Sequence, residues 1–271
     1  MIIVQISDTH ITPETSRADG KPSAQDRLRQ AIAHVLALPA QPDVVLISGD
    51  CTDHGAPEEY AFFRELIAPL PMPVYVIPGN HDDRARLHEM FGSQGAHAMA
   101  SFMQYAVDDW PVRLIALDTV VPGQDAGLLC AERLRWLDER LAEAPAQPTL
   151  IVMHHPPFAT GLDVLDALGL SGAEAFGAIV ARHPQIERIV AGHIHCTMQH
   201  RFHGTLAMTC TSTALQIRVD HTHPRTLRVT HEAPSCLVHT WSERIGLLTH
   251  PSPIGDQGPF PLLHDGTGWV K

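Results

Sequence analysis

Apolar residues along the first two-thirds of the chain fall into two alternating patterns. Unbroken, mainly apolar runs occupy residues 2–7, 44–48, 74–77, 150–153 and 189–191, each the length of a short strand buried on both faces. Between them the apolar positions fall three and four apart. One such stretch carries Leu28, Ala31, Ile32, Val35 and Leu36 behind Ser23, a residue suited to cap a helix. A second carries Tyr60, Phe63, Leu66 and Ile67 behind Pro57, which suits a first helical turn. Leu134, Leu137 and Leu141 mark a third over 131–144. Residues 84–91 and 174–182 predict shorter helices, and 103–107 with 113–117 predict two strands able to pair as a hairpin. After about residue 200 the helical spacing stops. Residues 206–211, 215–219, 227–231 and 236–241 read as short strands between turn signals, and the chain from 251 onward is rich in Pro and Gly and predicted to be extended. Strands alternating with helices predict an α/β fold whose chemistry sits in loops at the carboxyl ends of strands.

The 271 residues suffice for one large α/β domain, or for a core domain with a small appendage. With 44% hydrophobic and 18% charged residues there is ample material for a core, which excludes wholesale disorder. No apolar run is long enough to span a bilayer, so no membrane partner is expected. The opening MIIVQISDTH lacks a basic n-region and places Asp8 directly after its apolar run, so it reads as a first strand and not a signal peptide. The five cysteines, an odd number without a CxxC pair, then read as reduced thiols of a cytoplasmic protein, with an intersubunit disulfide left open. The formal net charge of −11 repels a nucleic-acid backbone and argues against a nucleic-acid polymer as partner. A small anionic substrate stays compatible if bound metal supplies local positive charge.

Five segments repeat one design, a buried strand followed by metal-capable side chains in the loop that leaves it. They are Asp8-Thr9-His10, Gly49-Asp50, Gly79-Asn80-His81-Asp82, His154-His155 and Gly192-His193-Ile194-His195. In extended chain alternate residues point the same way, so Asp8 with His10, and His193 with His195, are expected to project together. Gly49 permits a sharp exit from its strand, and Gly192 leaves room for the backbone. Asp50 has two oxygens with which to bridge two cations, and Asn80 offers a neutral amide oxygen. Taken singly these are weak signals. D-x-H is usually a polar loop, Gly-Asn-His can be a turn, and His154-His155 can be one core and one surface residue. Of the 19 histidines, scattered ones such as His34, His88, His183 and His264 are expected at the surface or in packing. The conjunction carries the weight, because burying so many polar groups without a partner is costly.

The ordered set D-x-H … G-D … G-N-H-D … H-H … G-H-x-H, with flanks ISDTHI, ISGDCTDHG, VIPGNHDD, HHPPF and AGHIH, resembles the calcineurin-like metallophosphoesterase superfamily over residues 1–196. Within it the flanks are most similar to the bacterial glycerophosphodiesterase and class III cyclic-nucleotide phosphodiesterase branch. The resemblance implies a four-layer α/β/β/α sandwich of two mixed sheets with a small C-terminal β appendage. Residues 1–196 would form the catalytic domain, 197–255 a small β-rich cap or dimerisation region, and 256–271 an extended tail. It implies that Asp8, His10, Asp50 and His195 hold a first divalent metal ion, and that Asp50, Asn80, His154 and His193 hold a second. His81 would lie beside the scissile group as proton donor or phosphate stabiliser. His155 would support a ligand, and Cys51, where an aliphatic residue is usual, would act as a small hydrophobe. Oxygen and nitrogen ligation without thiolate suits Mn, Fe, Zn or Co.

The activity so implied is that of a metal-dependent phosphoric diester hydrolase. Metal-bound hydroxide would attack small phosphodiesters, either glycerophosphodiesters or 3′,5′-cyclic nucleotides. Phosphonate monoesters and phosphomonoesters stay open as substrates. The alternatives are a non-catalytic scaffold, against which the complete ligand set speaks, and a nuclease, against which the net acidity and the lack of a basic stripe speak. Residues 197–255 are expected to pair copies into a homodimer or higher homo-oligomer, or else to finish the core sheet. Loops 11–22 and 156–170 are expected to rim the pocket.

Overall fold

The computed structural model describes residues 1–14, 21–92, 94, 95, 98–230, 232–255, 258, 260–264 and 266–268. In chain order the elements are β1 (Ile2–Ile6), α1 (Ala24–Leu36), β2 (Val44–Ile47), α2 (Pro57–Ile67), β3 (Val74–Val76), α3 (Arg84–Phe91), β4 (Tyr105–Val107) and β5 (Arg113–Leu117). They continue with β6 (Gly127–Leu128), α4 (Ala131–Glu143), β7 (Thr149–Met153), α5 (Asp163–Asp166), β8 (Leu170–Ser171), α6 (Ala173–Val180) and β9 (Ile186–Ala191). The last are β10 (Gln199–Phe202), β11 (Thr205–Thr209), β12 (Gln216–Ile217), β13 (Val229–Thr230), β14 (Ser235–Ser242) and β15 (Gly246–Pro253).

Two mixed sheets form the centre, ordered β15-β14-β1-β2-β3 and β10-β11-β9-β7-β5-β4. β1, β2 and β3 are parallel, as are β5, β7, β9 and β11; antiparallel pairings occur only toward the edges. The two-residue alternation of side chains decides the layering. Leu150 and Val152 of β7 join the core formed by the first sheet with α1 and α2, whereas Ile151 and Met153 join the core formed with α4 and α6. β5 divides the same way, Leu114 and Ala116 to one core, Ile115 and Leu117 to the other. The α/β/β/α sandwich is therefore as predicted. α1 begins at Ser23, whose hydroxyl accepts from Asp26 N at 3.1 Å while the Asp26 carboxylate accepts from Ser23 N at 3.2 Å, a reciprocal cap. Among the described residues no helix is long and apolar enough to cross a membrane.

Of the two courses expected of residues 197–255, the chain follows the second, with most of the region finishing the core sheets and not forming an appendage. β10 and β11 extend the second sheet, and β14 with β15 extend the first, so the region completes the sandwich. The cause is edge satisfaction. β14 covers the side of β1 from Ile2 to Gln5 that would otherwise present unpaired backbone groups. Among the described residues of this region only the β12–β13 ribbon stands outside the two sheets. β10 escaped prediction because its first three residues are polar and exposed, and β15 because it carries Pro251 and Pro253, which an edge strand tolerates. The predicted strand over 227–231 shrinks to Val229–Thr230, and residue 231 lies outside the described residues. In the tail the described residues of 256–271 carry no helix or strand, and residues 256, 257, 259, 265 and 269–271 lie outside the description.

Candidate metal centre

The five motif segments leave β1, β2, β3, β7 and β9, and backbone hydrogen bonds draw their loops together at one end of the sandwich. Asp8 N donates to Gly49 O at 3.1 Å, His10 N to Asp50 O at 2.9 Å, and Gly192 N to His154 O at 3.0 Å, the last across neighbouring strands of the second sheet. The two sheets are joined there by His193 N, which donates to Asp8 Oδ1 at 3.0 Å, and by His154 Nδ1, which donates to Ser48 O at 2.8 Å. Such close approach excludes side chains at two glycines. A Cβ on Gly192 would collide with Ser7 Oγ, and one on Gly49 with the His154 ring.

The expected reason for convergence was wrong, although the residues converge. Asp8, His10, Asp50, His193 and His195 have φ of 51°, 42°, 46°, 71° and 54°, left-handed and not extended. They are five of the six described non-glycine residues with positive φ. Such backbone costs about 1–3 kcal/mol per residue and persists only where surroundings enforce it. Here it re-aims each side chain into one volume, which a regular strand exit would not do.

Within that volume the hydrogen-bond partners fix the tautomers. His195 Nδ1 lies 2.9 Å from Leu215 O, His154 Nδ1 2.8 Å from Ser48 O, and His193 Nε2 3.1 Å from Leu168 O. A carbonyl only accepts, so each of these nitrogens carries the proton. His10 Nδ1 likewise faces the Asp53 carboxylate at 2.8 Å. In the neutral rings the remaining nitrogens are lone pairs, and they face one another or other acceptors. His10 Nε2 stands 3.1 Å from His195 Nε2, and Asn80 Oδ1 stands 3.1 Å from His154 Nε2 and 3.0 Å from His193 Nδ1. Asp50 Oδ2 lies between the two groups, 3.6 Å from His10 Nε2 and 3.4 Å from His154 Nε2, and Asp8 Oδ1 is 3.5 Å from His195 Nε2. So many mutually facing acceptors repel unless cations sit among them. Burial opposes a charge on His154, yet the Asp50 and Asp8 carboxylates outweigh it and lift its pKa to about 9. Burial would raise Asp50, but His154, His10 and His81 hold it well below the usual carboxylate range. The electrostatic field thus calls for positive charge, and this donor set fits a two-metal centre.

All eight predicted site residues are found here. His81 stands at the rim; its backbone N donates to Asp50 Oδ1 at 2.9 Å, its Nδ1 donates to Asp53 O at 2.8 Å, and its ring meets that of His10 edge-on at 4.7 Å. His155 is fully buried between Thr119 Oγ1 at 2.7 Å and Asp125 O at 2.9 Å; burial and then neighbouring His154 push its pKa down to about 3. Cys51 packs in the apolar core, and burial pushes its thiol well up.

Two residues were missed. Asp53 binds His10 through its carboxylate and His81 through its carbonyl. Asp82 is buried and accepts from Cys51 N, Thr52 N and Gly79 N, which ties the loop of Asp50 to that of Asn80. Asp82 lay inside G-N-H-D and Asp53 three residues after Asp50, but an acidic side chain in a loop says nothing of its partners until the loops are in place.

A cleft of about 660 Å3 opens over the cluster. Thr12, Glu14 and Pro22 of one expected rim loop line it, as do Leu165 and Leu168 of the other; residues 15–20 lie outside the described residues. No Lys or Arg among the described residues lines it.

A two-sheet sandwich with this motif order defines a class. The chain belongs to the calcineurin-like phosphoesterase family, whose model matches residues 1–197. Over 267 residues it is 34% identical to the probable glycerophosphodiester phosphodiesterase GpdQ of Arcobacter nitrofigilis, covering 98% of each chain. It is 31% identical to a cAMP/cGMP dual specificity phosphodiesterase of Mycobacterium tuberculosis, covering 92% of this chain and 83% of that one. A dimetal phosphatase from Danio rerio shares the fold with a TM-score of 0.71 at 14% identity, covering 92% of this chain and 98% of that one.

Proposed function

We propose that this protein is a two-metal hydrolase of small phosphodiesters. Asp8, His10, Asp50 and His195 would hold one divalent cation, and Asp50, Asn80, His154 and His193 the other; Mn, Fe, Zn and Co all suit these donors. Cations bound there supply electrophilic charge for the phosphoryl oxygens and acidify water enough for attack near neutral pH. The observation that carries the reading is the set of inward-facing lone pairs, with no hydrogen-bond donor between His10 Nε2 and His195 Nε2 at 3.1 Å in their neutral forms. Asp8 and Asp50 carry two formal negative charges against four from two divalent cations, leaving about two positive charges to bind a phosphodiester anion. Among the described residues the cleft offers no Lys or Arg for that purpose.

His81 is the proton donor to the leaving oxygen. Its Nδ1–H is fixed on Asp53 O at 2.8 Å, which leaves Nε2 for the substrate, and the Asp53 carboxylate lies 3.6 Å from the same nitrogen. Relatives named for glycerophosphodiesters and for cyclic nucleotides support a small diester as substrate. The net charge of −11 supports a small molecule over a nucleic-acid polymer. Five free thiols support a cytoplasmic setting. Exposed Leu248 on the edge strand β15, with exposed Ile245 in the turn just before it, supports a homodimer or larger homo-oligomer, which a monomeric mass in solution would refute.

The test is a panel of glycerophosphodiesters, 3′,5′-cyclic nucleotides, phosphomonoesters and phosphonate monoesters, with and without added Mn, beside elemental analysis of the protein. Diesters should turn over fastest and only with metal. Protein that binds no divalent metal, or leaves every diester intact when metal is supplied, sinks the reading.

A further inference from the structure

Two clefts meet at Asn80 and His81. The cleft over the donor cluster continues, on the α3 side of His81, into a second of about 670 Å3. Their walls differ in kind. The first is walled by Leu165, Leu168, Leu215, Ile217 and Leu227, with Glu14, Asp50, Asp53 and Asp125 as acidic groups. The second has a more polar wall, with His54, Arg84, His88 and Ser101 beside Phe102, and Asp82 and Asp83 as its acidic groups. Its aromatic wall is built in advance of any ligand. The Phe102 ring is contacted by two guanidinium groups, Arg84 at 5.3 Å and Arg133 at 4.4 Å from its centroid. Arg84 is itself immobilised, donating from Nε to Asp118 Oδ2 at 2.5 Å and from Nη2 to Asp118 Oδ1 at 3.0 Å and Val120 O at 2.6 Å. Asp118 is fully buried, so this arrangement has little freedom to rearrange.

A phosphodiester has two ester arms. His81 belongs to both clefts, so an oxygen it protonates lies at their junction. The arm on that oxygen then enters the α3-side cleft, while the retained arm runs along the leucine wall. A 3′,5′-cyclic diester carries both ester oxygens on one sugar and can fill only one of the two. We infer that the α3-side cleft is the subsite for a polar leaving alcohol, and that acyclic phosphodiesters, which fill both clefts, are the preferred substrates. This rests on the phosphodiesterase reading above.

Ser101 and Ala85 are exposed residues on separate walls of the α3-side cleft, and neither packs in the core. Ser101→Trp and Ala85→Trp would each fill it. The quantity to read is kcat/KM for glycerophosphoethanolamine, an acyclic diester with polar alcohols on both arms, relative to 3′,5′-cyclic AMP, with the competitive Ki of cyclic AMP substituted if its turnover is too slow. The subsite predicts that this ratio falls at least about fivefold in both variants, since filling a substrate pocket acts on the arm that occupies it. Melting temperature and metal content should match wild type. A ratio within about twofold of wild type, or one that rises, overturns the subsite and leaves the phosphodiesterase reading standing. A wild-type protein that hydrolyses neither diester with metal supplied overturns both.

Discussion

Asp82→Ala should loosen the metal centre without touching a single proposed ligand. The Asp82 carboxylate accepts on both oxygens, from Cys51 N at 3.0 Å and Gly79 N at 2.9 Å on Oδ2, and from Thr52 N at 3.2 Å and Tyr60 OH at 3.1 Å on Oδ1. Alanine strands three buried backbone N–H groups. At about 1–3 kcal/mol each the gross loss is about 3–9 kcal/mol. Two effects reduce it. Water entering the vacated space restores part of the hydrogen bonding. Burial and the nearby Asp50 charge already raise the Asp82 pKa, so removing its carboxylate also relieves a repulsion. A net loss of about 3–5 kcal/mol follows, against a typical domain stability of about 5–15 kcal/mol. Asp82→Asn should fall between the variants, at about 1–3 kcal/mol, because an amide accepts on one side only and turns N–H toward N–H on the other. Urea unfolding of the three proteins gives the order directly. Metal titration should show affinity about 10–100-fold weaker in Asp82→Ala, the usual cost of removing an outer partner of a ligand. An Asp82→Ala protein within about 1 kcal/mol of wild type, with full metal content, refutes the claim that this carboxylate holds the Asp50 and Asn80 loops together.

His81→Ala should lower kcat on a diester with a poor leaving group by about 10²–10⁴-fold, with metal content unchanged; full turnover in that variant rules out the proton-donor role. Asp50→Ala should remove metal and activity together, and elemental analysis that still finds two cations contradicts bridging by Asp50. A pH effect is expected far from the centre. His239 is fully buried, and burial, then the Arg188 and His250 charges, push its pKa down to about 3. The unfolded chain, at about 6.5, takes up that proton first, so the stabilisation is complete above pH ~6.5 and is lost as pH falls toward 3, at up to about 1.4 kcal/mol per pH unit. His239→Gln should flatten the stability curve over that window relative to wild type; parallel curves would show that His239 does not set it. Chelation of the metal should lower the melting temperature, because it leaves the acceptors facing one another, and an unchanged melting curve would show that they need no cation.

Much of this architecture is legible in the chain because it depends on local rules. Strands buried on both faces must be apolar throughout, and helices on one face must repeat every three to four residues, so β1, β2, β7, α1, α2 and α4 show in the pattern alone. The motif order shows for the same reason, since a ligand must be a particular residue type wherever it sits. β10 and β15 did not show, because an edge strand needs only backbone partners and tolerates the polar residues and prolines they carry. Nor did the fate of residues 197–255, which turns on whether β14 finds an open edge of β1. The roles of Asp53 and Asp82 depend on groups 28 to 43 positions away in sequence, His10 and His81 for the one and Cys51 and Thr52 for the other.

The identity of the proposed ligand residues is therefore a property of the sequence, and their arrangement is not. Asp8, His10, Asp50, His193 and His195 reach one volume by adopting left-handed backbone, a conformation uncommon outside glycine although Asp and His enter it more readily than most. Only the packed loops, with glycines where backbones crowd, make that conformation the lowest in energy. Local propensity is additive along a chain, whereas the enforcement of strain requires contacts from both sheets at once, and those exist only after the chain has folded.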